Sequence, residues 1–363
     1  MQPKPLNILI SPLDWGLGHA ARCTPIISRL IESGHKVTVA GSGRSLIMLQ
    51  KEFLSLESFE MQGFSPSYPE SGNMALHLFL RLPQFIGTMV REHRELKKLL
   101  SQKHFDIIIS DNRYGFRNKN TRSILITHQV MIKTPGWLRF AEYFFYRVSL
   151  MLISGFDECW IPDDKESPGL SGELSHKYPL PANAMFIGPL SRFQQVELLH
   201  KKDISERKIT AIISGPEPQR SLFEAMVTKQ LREFNQPAIL VGGKPESDNI
   251  AATESNLTIS PYLASAELHS VISGSSLVIC RSGYSSIMDL QALGVKALFV
   301  PTPGQTEQIY LARLHQEAGT ALWRTQDDLN LKADIPEAIK YPCFIKKPTG
   351  NGLVAAIDAL KKK

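Results

Sequence analysis

The sequence predicts an α/β protein of two lobes, each a largely parallel sheet flanked by helices. Three observations carry that expectation. Short apolar runs bounded by turn residues recur along the 363 residues and alternate with helical stretches, the order that builds parallel sheets. Several runs end in glycine- or serine-bearing loops that open a helix, where open α/β sheets hold their ligands. A charged segment from Gln194 to Lys208 separates two halves of similar make-up, as a domain boundary does.

Composition narrows the class. Hydrophobic residues make up 43% and charged residues 21%, the proportions of a soluble globular chain. Cys23, Cys159, Cys280 and Cys343 have no paired spacing, and Cys159 and Cys280 lie in apolar runs, so they read as buried thiols and not as a metal or disulfide set. The opening MQPKPLNILISPLDWG is too short an apolar run for a signal peptide, and no spanning helix is expected. A cytoplasmic location is therefore expected. The net charge of +6 suits nucleic acid, an anionic membrane face or an anionic substrate. No nucleic-acid module is present, which leaves the last two.

Asn7 to Ser11 is the first strand. It runs into Gly16-Leu17-Gly18-His19, a glycine loop opening a helix that continues to Leu30 and stops at Gly34. Lys36 to Ala40 is the second strand. No acid closes it and the loop has no P-loop lysine, which disfavours NAD and ATP. Gly16 and Gly18 keep the backbone low beside His19, a side chain poised for base chemistry near neutral pH or for packing at a helix start. Gly41 to Arg44 reads as loop, residues 60 to 75 as a long turn-rich segment suited to cover an acceptor, and Leu76 to Leu100 as helix. Asp106 to Ser110 is a strand ending in Asp111-Asn112-Arg113. Asp111 is a second candidate base or acceptor contact, or a turn-making Asp. Ser123 to Thr127 is a strand ending at His128. Arg113 and His128 are further acceptor-side candidates. Lys133 to Gly155 is aromatic and basic, either core or an interfacial helix meeting an anionic membrane, with Glu142 interrupting its basic face. Strands at Asp157 to Ile161 and Met185 to Ile187 complete the first sheet.

The second half starts with the strand Ile209 to Ile213 and a loop holding Ser214, Gly215 and Arg220. The loop offers N–H groups and a charge to a phosphate, although two prolines remove donors and shift weight to Arg220. Ala238 to Val241 and Leu257 to Ser260 are strands, the latter leading to Tyr262 and Leu263, then a helix from Ala264 to Ser273. The stretch from Leu277 to Leu311 organises this half. Leu277 to Cys280 is a strand, Arg281-Ser282-Gly283 a turn, and Ser285-Ser286 a helix start whose free N–H groups favour a phosphate. Asp289, about a turn further on, suits ribose hydroxyls. After the strand Ala297 to Val300, a proline-fixed loop presents Gln305, Glu307 and Gln308 to a sugar. Serine caps and a helix-start Asp also serve plain α/β packing.

That run resembles the donor half of GT-B glycosyltransferases, specifically glycosyltransferase family 28, which includes the lipid-linked N-acetylglucosaminyltransferase of peptidoglycan synthesis. The resemblance rests on Ser282-Gly283, Asp289, where the family more often has Glu, and the Gln305 to Gln308 loop. It implies two Rossmann-like domains facing across a cleft: residues 1–192 for the acceptor, residues 193–345 for a nucleotide-sugar, and residues 346–363 as a helix crossing back. It implies Tyr262 and Leu263 as contacts to the uracil ring. It further implies an inverting, metal-independent transfer from a UDP-sugar to an unknown acceptor, lipid-linked if the enzyme sits peripherally on a membrane, with no cofactor. Asp163-Asp164 and Asp327-Asp328 are not Asp-x-Asp motifs, in keeping with that. The run Gly18-His19-Ala20-Ala21-Arg22-Cys23 is similar to a G-H-x-x-R-C run in related nucleotide-sugar hydrolases. Hydrolysis, with His19 activating water, and non-catalytic nucleotide-sugar or lipid binding therefore stand beside transfer.

Overall fold

The computed structural model describes residues 4–61, 82–134, 136–194, 208–234, 236–247, 249–346 and 350–361. Each lobe is a seven-stranded sheet with helices on its faces. The first contains β1 (Asn7–Pro12), β2 (Lys36–Gly41), β3 (Glu57–Glu60), β4 (Ile107–Asp111), β5 (Arg122–Ile126), β6 (Glu158–Ile161) and β7 (Ala184–Phe186) in the order 3-2-1-4-5-6-7, all parallel. The second contains β8 (Lys208–Ile212), β9 (Ala238–Val241), β10 (Ala252–Glu254), β11 (Leu257–Ser260), β12 (Ser275–Cys280), β13 (Ala297–Phe299) and β14 (Leu322–Trp323) in the order 10-11-9-8-12-13-14. β10 alone is antiparallel, an exposed edge hairpin with β11. Central strands are buried on both faces, β4 along its whole length, which is why they read as unbroken apolar runs.

Strand order locates the ligand site before any side chain is considered. Each sheet reverses direction once, between β1 and β4 in the first lobe and between β8 and β12 in the second. Crevices open at the carboxyl ends of strands at such switch points. The loops there hold His19, Asp111, Ser214-Gly215 and Arg281-Ser282-Gly283.

The helices are α1 (Leu17–Glu32), α2 (Gly43–Glu52), α3 (Leu82–Gln102), α4 (Glu142–Ile153), α5 (Glu173–His176), α6 (Gln219–Arg232), α7 (Ser265–Ser273), α8 (Tyr284–Leu293), α9 (Thr306–Glu317), α10 (Leu331–Ala338) and α11 (Gly352–Leu360). One apolar core runs through both lobes, joining Ile8, Ala20 and Ile26 of the first to Val278, Tyr284 and Ile287 of the second. α11 belongs to the same core through Ile357 and Leu360, and Gly352 lies so close to the Ile187 carbonyl that a Cβ would stand 2.6 Å from it.

Several elements differ from the sequence reading. Gly43 and Arg44, read as loop, instead open α2: Ser42 is extended at its start, and Ser45, Leu46, Met48 and Leu49 form a buried stripe. The region from Lys133 to Gly155 is a 3₁₀ turn (Gly136–Ala141) followed by α4, not one helix. The expected loop at 60–75 falls, beyond Met61, outside the described residues, as do positions 76–81 of the expected helix.

Arg113 is placed in the interior of the first lobe and not at an acceptor surface. It is 2% exposed, with Nε donating to Glu92 Oε1 of α3 (2.9 Å) and NH1 to Ser11 Oγ (2.8 Å). Burial pushes the Glu92 carboxyl upward in spite of Arg113, the mark of a pair that barely offsets its desolvation. Removing one member is the costly change. Glu92→Ala should lower stability by about 3–5 kcal/mol, read as a lower urea midpoint at unchanged m.

Candidate active site

Three neighbouring strands deliver the core of the site. β1 lies between β2 and β4, and Asp111 at the end of β4 pairs in register with Pro12 of β1 and Ile126 of β5. The chain leaving β1 turns through Gly16, at φ +96°, and enters α1 with His19 in its first turn. The chain leaving β5 reaches His128 two residues on. Asp111, His19 and His128 therefore converge by topology.

Arg22 ties them together. It sits three residues after His19, on the same face of α1. Nε donates to Asp111 Oδ2 (2.8 Å), and NH2 closes a second bond to Oδ1, giving a bidentate pair. NH1 lies 3.0 Å from His128 Nδ1, and NH2 lies 2.8 Å from His19 Nδ1. Arg22 and Asp111 are each 1% exposed.

His19 Nδ1 is also 3.1 Å from Asp111 Oδ2. With Nδ1–H donated to Asp111, the Nε2 lone pair is left free to take a proton. With Nδ1 accepting from Arg22, Nε2 carries the hydrogen instead. Among the described residues none bonds Nε2, and the side chain keeps 16% exposure. Burial, reinforced by Arg22, holds the His19 pKa below its ordinary value against the pull of Asp111, so the ring is neutral near pH 7. Burial pushes Asp111 upward, but Arg22 and His19 outweigh it and hold the carboxyl at about 2.

The second lobe closes the network. Glu307, in the first turn of α9, accepts from His128 Nε2 (2.8 Å) and from the Gln129 side-chain amide. Burial would raise Glu307, yet His128, Arg22 and His19 hold it low and ionised. The His128 ring stacks on Tyr284 of α8, with centroids 4.2 Å apart and planes at 6°.

The glycine loops of the two lobes face each other. A Cβ on Gly16 would approach the Gly215 backbone at 4.0 Å. Ser285 Oγ, in the first turn of α8, donates to the Gly18 carbonyl (2.8 Å). The starts of α1 and α8 and the Ser214-Gly215 turn thus lie close together, and helix starts carry N–H groups of the kind that bind phosphates. Ser282 and Gln308 tie the two loops of the second lobe together: Ser282 Oγ donates to the Gln308 carbonyl, and Gln308 Oε1 accepts from Thr302 N, each at 2.8 Å. Gly283 and Gln305 stand just before α8 and α9, Ser286 lies in the first turn of α8, and Tyr262 and Leu263 pack half-buried against the shared core.

Three charged candidates are engaged by other protein groups. Arg220 is saturated by Glu217 (2.6 Å), Glu224 (2.9 Å) and the Gly242 carbonyl (3.1 Å). Arg281 lies 1% exposed over the Phe223 ring and braces four oxygens, those of Val300, Pro301, Gln219 and Gln326; burial lowers it to about 9. Asp289 accepts from Ser191 Oγ (2.7 Å) and Arg192 Nε (3.1 Å) in the chain joining the lobes, with burial pushing its carboxyl upward. Sequence reasoning missed Arg22, Gln129, Ser191 and Arg192 as site residues. The i, i+3 spacing of His19 and Arg22 was the available signal for Arg22; the others had none.

Residues 214–351 match the family described as glycosyltransferase family 28 C-terminal domain, and residues 6–121 match glycosyl transferase family 1. An uncharacterized glycosyltransferase of Methanosarcina acetivorans is 21% identical over 86% of this chain and 84% of its own. The UDP-N-acetylglucosamine--N-acetylmuramyl-(pentapeptide) pyrophosphoryl-undecaprenol N-acetylglucosamine transferase of Desulforudis audaxviator is 33% identical over 39% of this chain and 32% of its own. Among solved structures, the glycotransferase of kitacinnamycin superposes with a TM-score of 0.63 at 14% identity, covering 99% and 95% of the two chains.

Arg22→Leu should cost about 3–5 kcal/mol, because Asp111 stays buried without its partner. The sign of the pH dependence should also invert. In the wild type the depressed Asp111 contributes stability that is full above its ordinary 3.8 and is lost as pH falls toward about 2. In the variant burial raises the carboxyl above 3.8, so stability should be regained as pH falls from that raised value to about 3.8. Denaturant midpoints between about pH 6 and pH 2.5 check both.

Proposed function

We propose, from the premise that this chain is a glycosyltransferase of the GT-B fold with a family 28 C-terminal lobe, that it moves a sugar from a UDP-sugar with inversion. The observation carrying the reading is the His19–Asp111 contact at a half-open cleft, held by Arg22. In the tautomer with Nδ1–H on Asp111, His19 Nε2 takes the proton of an acceptor hydroxyl as that oxygen attacks the anomeric carbon. Asp111 stabilises the imidazolium that forms. UDP leaves from the opposite face, which inverts the centre. Negative charge growing on its β-phosphate meets the starts of α1 and α8 and the Ser214-Gly215 turn. Asp289 reaches ribose hydroxyls only by exchanging its bonds to Ser191 and Arg192. Tyr262 and Leu263 remain the candidates for the uracil face, and Gln305 and Gln308 for the sugar. No metal or further cofactor enters this reading.

The Desulforudis relative, a transferase of N-acetylglucosamine from UDP-N-acetylglucosamine to a pyrophosphoryl-undecaprenol acceptor, supports a UDP-N-acetylhexosamine donor and a lipid-linked acceptor. A surface of the first lobe supports the lipid. α4 buries Glu142, Tyr146, Ser149 and Ile153 as one stripe. Glu142, the acid that interrupts the basic face in the sequence, is turned inward onto Lys177 (2.8 Å). The outward side carries Phe140, Tyr143, Phe144 and Met151, exposed by 82%, 55%, 65% and 66%, with exposed Arg139 and Arg147 beside them. Aromatics flanked by arginines and free of acid fit an anionic bilayer surface. No helix among the described residues is long and apolar enough to cross a membrane.

His19→Ala should slow UDP release from UDP-N-acetylglucosamine by about 100-fold or more. In the wild type, turnover should rise with pH through a midpoint below about 6.5, because the base acts only when neutral. Near-normal turnover in the variant would remove His19 as base. Free sugar formed at full rate without acceptor would make the enzyme a hydrolase, and tight UDP binding with no turnover a binding protein. Phe140→Glu with Phe144→Glu should abolish cosedimentation with phosphatidylglycerol vesicles and leave UDP binding intact; unchanged cosedimentation would reject the membrane surface.

A further inference from the structure

Glu307 belongs to the lobe that holds the nucleotide, yet every described polar contact of its carboxylate lies in the other lobe, on His128 and Gln129. From there a continuous line of contacts runs to the base. His128 Nε2 meets Glu307 at 2.8 Å and its Nδ1 meets Arg22 at 3.0 Å; Arg22 is bonded to Asp111 and lies 2.8 Å from His19 Nδ1. His128 and Arg22 are 4% and 1% exposed, so little water screens the line. His128 is also clamped from the second lobe by the Tyr284 ring.

We propose that Glu307 is a positioning residue supplied by the donor lobe, which completes the charge balance around His19 only when the two lobes are together. This rests on His19 being the base and goes beyond it. The first lobe alone offers His19 one anion, Asp111, already shared with Arg22. A second anion across the cleft turns His128 and, through it, fixes the guanidinium against which His19 is held. Parting the lobes withdraws Glu307 and leaves His128 Nε2 without this acceptor. Closure over the donor and preparation of the base are then one event. A carboxylate reserved for sugar hydroxyls would instead be expected to point into the cleft without an interlobe partner.

The test is a ¹⁵N-histidine NMR titration of the full chain, with wild type compared with Glu307→Gln, which keeps size and removes charge. Glu307 favours the charged imidazolium, so its loss should lower the His19 midpoint by about half a unit or more and shift the His128 resonances. Glu307→Asp, with the carboxylate withdrawn by one methylene, should fall between them and serves if the amide variant does not fold. Thr306→Ala removes a neighbouring interlobe bond, Thr306 Oγ1 to the Lys133 carbonyl (2.8 Å), outside the charged line, and should leave the His19 midpoint in place. In turnover, Glu307→Gln should lower kcat about tenfold with donor KM within about twofold. A His19 midpoint unmoved in both Glu307 variants, or a raised donor KM at unchanged kcat, overturns the inference and makes Glu307 a sugar ligand. If His19→Ala is inactive while Glu307→Gln behaves as wild type, the positioning role falls and the base stands; if His19→Ala is active, both fall.

Discussion

A guanidinium and a carboxylate, both almost wholly out of water, set the terms for the cleft. Neither Arg22 nor Asp111 could be buried alone, since an isolated charge in the interior costs several kcal/mol. Together they are held by geometry more than by attraction: two parallel bonds fix the plane of Arg22, and that plane fixes where its remaining nitrogens point. They point at His19 and His128. The orientation of both imidazoles is thus inherited from one ion pair, and the pair is inherited from the register of β4 against β1.

The two lobes share this logic but use charge differently. In the first, charged groups gather where chemistry is expected. In the second, charge serves mainly as bracing. Arg281 holds three loops by bonding four oxygens, and Arg220 is locked between two glutamates. On the proposed reading, what the second lobe offers a diphosphate is backbone: helix starts and a glycine turn at φ +113°. Fixed dipoles need no reorganisation when charge develops, whereas a lysine or arginine would have to be desolvated first.

Much of this was legible in the chain. Strand positions followed from apolar runs, because parallel strands are buried on both faces and cannot alternate. The loops at strand ends were read from the same runs, so His19, Asp111, His128 and the Ser282 turn were named as candidates without a partner in view. Partner choice was not legible. Arg220, Arg281 and Arg113 were read as ligands or surface groups since a loop arginine is usually wet; only packing shows that each is enclosed. Asp289 was read as facing a ribose because its helix position allows it, but the positions of Ser191 and Arg192 depend on the path between lobes, which no local pattern encodes. Glu307 was read as a sugar contact, and its bonds to His128 and Gln129 across the lobes are likewise encoded by no local pattern.

Transfer and hydrolysis use the same first step, the removal of a proton from an oxygen nucleophile, so the dyad alone does not choose between them. Water is present at about 55 M and any acceptor at far less. A transferase must therefore keep its base idle while the cleft is open to solvent. A base whose electrostatic setting depends on a residue from the opposite lobe meets that need without a lid. It is weaker when the lobes part and properly set when they meet over the donor. On the proposed reading the outward aromatic face of α4 works in the same direction, since an acceptor delivered on a lipid surface would be concentrated near the enzyme while water would not. Both features cost a hydrolase something and give it nothing, and their joint presence in one chain is the physical argument for transfer.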